Sequence, residues 1–219
     1  ESAEFLSDRN VSQERPLVAV PILELPHPKL RQRARKIRRI DKNVLKIAHD
    51  MVDTLREAGG LGLAANQIGV LRRIIVIQLP EESEETRIYI NPEILGQFGQ
   101  REVEEGCLSV PGYRGTITRS VWVTFRALDH SSKVVRLEAE DLLAQVLEHE
   151  VDHLNGILYL DHLASHDDLV KISPGEMMDD SAGVSTNNYN RGEVDYLTTQ
   201  SMGTQARSVE SPATIKISR

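Results

Sequence analysis

The stretch AEDLLAQVLEHEVDHLNG, residues 139–156, decides how the rest of the chain is read. Leu142, Leu143, Val146 and Leu147 recur at helical spacing and Asn155-Gly156 supplies a stop. The pattern predicts a helix over 139–154 with those four on its buried side. His149 and His153 stand four apart on it, so both side chains share one face and can grip a single metal ion. Glu150 is turned about 100° round the axis, where it misses the first coordination shell yet reaches a water on the metal. The competing account of this HExxH pattern is a surface helix whose histidines and carboxylates are satisfied locally.

Two protein ligands leave a catalytic tetrahedral site one short. Upstream, residues 105–109 read EGCLS and hold the chain's one cysteine, Cys107, between expected strands, so a sheet edge could deliver it to the helix. A lone cysteine also fits the role of a small buried hydrophobe. A further segment, GLGLAANQ at 60–67, has glycines that let a backbone approach a bound chain and small alanines that permit tight packing. Gln67 offers an amide donor to a developing oxyanion. The segment fails as a phosphate loop, lacking the Lys-Ser/Thr ending and the strand before it; a structural turn is the alternative.

Outward from these segments, Val44, Leu45, Ala48, Met51, Val52 and Leu55 form an apolar stripe predicting an amphipathic helix over 41–58, ended by Gly59-Gly60. Residues 73–79 (RIIVIQL), 87–91 (RIYIN) and 120–128 (SVWVTFRAL) read as strands, the last two separated by a Gly- and Pro-bearing stretch to Gly115. Residues 133–137 pair with the last across a turn at 129–132. Strands in succession, without alternating helices, predict an α+β fold: mostly antiparallel strands packed around the central HExxH helix, with an N-terminal amphipathic helix.

At 219 residues the chain suits one catalytic domain with length to spare. Residues 1–16 are expected to be a flexible arm, 17–170 the catalytic domain, and 171–219 a disordered tail, since its Ser, Thr, Asn and Gly carry no apolar stripe to offset the entropy of ordering. No window approaches the roughly 18 apolar residues needed to span a bilayer, so no membrane partner is expected. The net charge of −7 argues against general nucleic-acid binding. Residues 29–39, KLRQRARKIRR, form a basic run that could meet phosphate or be a solvated face. One cysteine excludes an intrachain disulfide and suits a reducing compartment. The polar N-terminal segment is no secretory signal, whereas a trimmed organellar transit peptide stays open.

The three segments, in this order, closely resemble the peptide deformylase family, whose motifs are GxGxAAxQ, EGCLS and HExDH; they match at 60–67, 105–109 and 149–153. The likeness spans roughly residues 18–163. It implies a hydrolase that removes the formyl group from the N-terminal formylmethionine of new polypeptides and releases formate. One divalent metal would be held by Cys107, His149 and His153, with Fe2+ expected in the cell and Zn2+ or Ni2+ as substitutes. Glu150 would act as general base, and Gln67 with the backbone N–H of Leu108 would stabilise the oxyanion. Leu61, Gly62, Leu142 and Val146 are expected to meet the substrate, core packing being the alternative for the apolar ones, and Arg114 to face the bound peptide. The expected partners are the N-formylmethionyl peptide and, transiently, the ribosome. The expected compartment is the bacterial cytosol, with a plastid or mitochondrion as the alternative. Asn66 departs from a frequent family proline and Glu148 from a frequent glutamine. The polar tail lacks the basic helix by which some family members contact the ribosome.

A zinc endopeptidase also uses HExxH. His162 or His166 would be its third ligand, but position 159, where the metzincin pattern needs His, is Tyr. A silent binding protein that kept the peptide groove is the other rival, disfavoured because Gln67, Cys107, His149, Glu150 and His153 are all present.

Overall fold

Asp41 starts the first helix: its Oδ1 accepts from the Val44 N–H at 2.9 Å, and Gly59 ends the helix at φ 66°. The computed structural model describes residues 17–80 and 86–172, so the expected arm at 1–16 and the expected tail from 173 onward lie outside the described residues. Within it, helix α1 (Lys42–Ala58) is followed by strands β1 (Gly62–Ala64), β2 (Ile74–Ile77), β3 (Arg87–Phe98), β4 (Arg101–Gly106), β5 (Tyr113–Arg119), β6 (Trp122–Leu128) and β7 (Val134–Glu140). Helix α2 (Asp141–Asn155) and the short strand β8 (Leu169–Lys171) complete the described chain.

Every named strand pairing is antiparallel, in a five-stranded sheet ordered β1-β2-β3-β6-β7 and a three-stranded sheet ordered β4-β5-β8. Alternation along β2 sorts the core. Ile74 and Val76 face α1 and pack with Val44, Met51 and Leu55, whereas Ile75 and Ile77 join Phe125, Val146, Leu147 and Leu154 on the α2 side. The larger sheet thus separates the two helices. This is the α+β arrangement expected, with α2 as its central helix.

Several boundaries differ from the sequence reading. β3 continues past Pro92 to Phe98, because its pairing with β6 shifts register between Ile90 and Glu93, where a residue without an N–H fits. β4, sequence REVEEG, was hidden by its charge; only Val103 and Glu105 turn their side chains inward, and Gly106 is buried at its end. Residues 139 and 140 belong to β7, so α2 starts two residues later than the periodicity suggests. Its buried face is also broader and more polar: Gln145, Glu148, Glu150 and His153 are buried, while Leu142 and Leu143 are half-buried.

The entry segment stitches the site-bearing loops together. Val18 and Val20 donate to Asp53 Oδ2 and Thr54 Oγ1 on α1, and further on the Leu23 N–H donates to Gln67 O and the Leu25 N–H to Ser109 O. No helix among the described residues is long and apolar enough to cross a membrane.

Candidate metal centre

Cys107 leaves the end of β4 next to α2, and the sheet thereby brings together residues far apart in sequence. Its Sγ lies 3.1 Å from His153 Nε2, which lies 3.2 Å from His149 Nε2. These three donor atoms fall within 4.8 Å of one another. Tetrahedral ligands with bonds of about 2.0–2.3 Å stand roughly 3.3–3.5 Å apart, so the spacing is close to that of a three-ligand metal site.

The imidazole of His149 is aimed by Glu105, a fully buried carboxylate whose Oε2 sits 2.7 Å from Nδ1. Arg119 closes the other side of that carboxylate with Nε at 2.8 Å and Nη2 at 3.0 Å, and its Nη1 reaches Asp152 Oδ2 at 2.6 Å. Burial alone would push the Glu105 carboxyl up, but His149 and Arg119 hold it down at about 2. Burial opposes charge on His149 as well, yet the Glu105 carboxylate overcomes it and raises that imidazole well above its ordinary value. For His153, burial and the neighbouring His149 act together to lower it. A metal ion held by Cys107, His149 and His153 would take the place of that proton on His149 Nε2. The sequence reading assigned no role to Glu105 or Arg119. The first lay inside the quoted EGCLS segment; the second carried no local signal.

Glu150 is 3% exposed, its Oε2 has no hydrogen-bond partner, and burial first of all pushes its carboxyl up to about 7. It borders a cavity of about 30 Å3 shared with Leu61, Gly62, Gln67, Cys107, Leu108, Val146 and His149. Gln67 is oriented by the Ala64 N–H, which donates to Oε1 at 2.7 Å, leaving its Nε2 facing Ser109 Oγ at 3.2 Å and Cys107 Sγ at 3.6 Å. Asn66 donates to the carbonyl of His153 and so ties the GLGLAANQ loop to α2.

Of the eleven singled-out residues, eight line this cavity and His153 adjoins it through Cys107 and His149, while two, expected to meet the substrate, lie outside the lining. Leu142 is half-buried against the core cluster and does not line this cavity. Arg114, which makes the eleventh, sits across β5 from Gly106 with Nη1 3.9 Å from Glu104 Oε2, outside the lining. His162, offered as a third ligand in the protease reading, instead lies 2.8 Å from Asp152 Oδ2.

Compared with known proteins, residues 19–168 match the family described as polypeptide deformylase. The chain is 48% identical over 157 residues to a peptide deformylase of Dehalococcoides mccartyi, covering 72% of this chain and 93% of that protein. Among solved structures it resembles a peptide deformylase from Legionella pneumophila at 41% identity and a TM-score of 0.65, over 74% of this chain and 90% of that one. It also resembles a class I type b peptide deformylase from Acinetobacter baumannii with Met-Ala-Ser bound, at 29% identity and a TM-score of 0.63, over 67% and 99% of the two chains.

Proposed function

Since the chain belongs to the peptide deformylase family, and is therefore a hydrolase that removes the N-formyl group from new polypeptides and releases formate, we propose that this reaction runs at Cys107, His149 and His153, with Glu150 as general base. The observation that carries the reading is the convergence of Cys107 Sγ and two imidazole Nε2 atoms beside a buried, half-unpartnered carboxylate. Family members depend on a metal, and this donor set fits one: a soft sulfur with two nitrogens suits Fe2+, the ion proposed for the cell, and also Zn2+ or Ni2+. When bound, such an ion supplies Lewis acidity, acidifying water and polarising the formyl carbonyl.

The protein's own groups do the rest. Glu150, raised towards neutrality by burial, is suited to take the proton of the attacking water and return it to the leaving amine. The Gln67 amide, its Oε1 held by the Ala64 N–H, would turn its Nε2 from Ser109 and Cys107 to donate to the developing oxyanion together with the Leu108 N–H. Leu61, Gly62 and Val146 line the cavity where the methionine side chain would enter, and Arg114, on the strand opposite Gly106, would meet the continuing peptide. Met-Ala-Ser bound to the Acinetobacter relative supports a formyl-Met peptide as substrate. The bacterial relatives support a bacterial cytosol as compartment, and newly made chains as substrate make a transient encounter with the ribosome part of the proposal.

The test is hydrolysis of formyl-Met-Ala-Ser by anaerobically prepared protein, with elemental analysis of the same sample. Formate release with about one metal per chain is expected. Glu150→Gln should keep the metal and lose roughly 100-fold or more in kcat/KM. Full activity in that variant would remove Glu150 as the base.

A further inference from the structure

The face of α2 turned away from the metal centre carries Glu148, Val151, Asp152 and Asn155, at helical spacing, and these border an open cleft of about 550 Å3. Arg33 and Lys36 of the basic run line it too, as does Arg73 just before β2. Each carboxylate in the cleft is already engaged. Glu93 is held by Lys36 and Arg126, and Asp152 by Arg119 and His162. Glu148 accepts from the Ser120 N–H and hydroxyl and from the Gln97 amide.

The arginines are not matched in the same way. Among the described residues no carboxylate bonds to Arg33 or Arg73. Arg73 is only 6% exposed; its Nη1 donates to Asn155 Oδ1 at 2.9 Å and its Nη2 to the Pro92 carbonyl at 3.0 Å, both neutral acceptors. Its Nε is buried with no partner at all. Burial, then the like charge of Arg33, push the Arg73 guanidinium below its ordinary value, with Glu93 opposing. A guanidinium buried against neutral acceptors has no direct ion pair, and with Arg33 beside it the cations lining the cleft outnumber its carboxylates.

We infer that this cleft is an oxyanion site, on the opposite face of α2 from the metal centre, that takes a phosphate group between Arg33 and Arg73. Phosphate offers more oxygens than a carboxylate, enough to meet the Arg33 fork and the Nη hydrogens that Arg73 does not spend on Asn155 and Pro92, which favours it over a carboxylate ligand. The cleft's volume also leaves room for the organic part of a phosphate monoester, so the group can arrive free or esterified.

Isothermal titration of the whole metal-loaded chain with inorganic phosphate, with adenosine monophosphate and with acetate, at constant ionic strength, tests this. One saturable phosphate site per chain is expected, about tenfold weaker or worse in Arg33→Ala. Arg33 is exposed and takes no part in lining the metal-site cavity, so that variant should deformylate at the wild-type rate. Arg73→Gln, checked for folding by circular dichroism, should lose the site too, and Arg33→Ala decides alone if it does not fold. Tighter binding of the monophosphate than of phosphate identifies a monoester as the ligand, and equal binding identifies the free ion. Absence of a phosphate site, wild-type phosphate affinity in Arg33→Ala, or acetate binding as tightly as phosphate would overturn the inference.

Discussion

A methyl group added at Gly62 has nowhere to go: an ideal Cβ there falls 2.4 Å from Glu150 Oε1 and 2.8 Å from its Cγ. The carboxylate must swing aside, so Gly62→Ala is expected to cut kcat/KM by about 100-fold while metal content stays at wild type. Unchanged kinetics would mean that the position of Glu150 is not limiting. Glu105 gives a second test. In Glu105→Gln, buried Arg119 loses the fully buried one of its two carboxylate partners, keeping Asp152, and His149 loses its anionic partner. Chemical denaturation should register a loss of about 3–5 kcal/mol, and metal affinity should fall by about 10–100-fold. A metal affinity within about twofold of wild type would argue against Glu105 as the group that orients His149. At this scale the proposed ligands and base were legible because each sits in a short motif. The Arg119 bridge was not, because a buried ion pair leaves no mark in local sequence.

Helix α2 depends on how it stops as much as on how it packs. Gly156 caps it at φ 79°, and a Cβ there would lie 2.5 Å from the Arg31 carbonyl oxygen. Gly156→Ala should therefore lower unfolding free energy by about 1–3 kcal/mol, read by urea denaturation. A loss below about 0.5 kcal/mol would show that the neighbouring backbone yields freely. Elements with strong periodicity or β-branched runs, such as α1, β2 and β6, were readable because propensity and burial agree there. β4 was not, since glutamates in a strand become intelligible only once β5 and Arg119 are beside them.

For the molecule as a whole, the metal is predicted to link the EGCLS strand end to α2, so its removal should be felt in stability. At about a thousand times its Kd, a ligand specific to the folded state contributes ~4 kcal/mol, worth roughly 8–16 °C in Tm for a domain of this size. Chelation should lower Tm by that order and abolish deformylation, with both restored by Ni2+ or Zn2+. A Tm indifferent to chelator would mean that the three side chains do not bind metal in the folded protein.

What the sequence by itself determined was whatever depends on local geometry. The i, i+4 histidines share a helix face by the pitch of the backbone alone, and three short motifs suffice to identify the family. Only the tertiary structure decided that Cys107 meets His153, 46 residues away, because sheet pairing and not chain distance sets that contact. It also decided that Glu105 is buried against His149, and that the far face of α2 borders a cleft holding a buried arginine bonded only to neutral acceptors. Burial and charge balance are properties of the packed whole, and no stretch of sequence carries them alone.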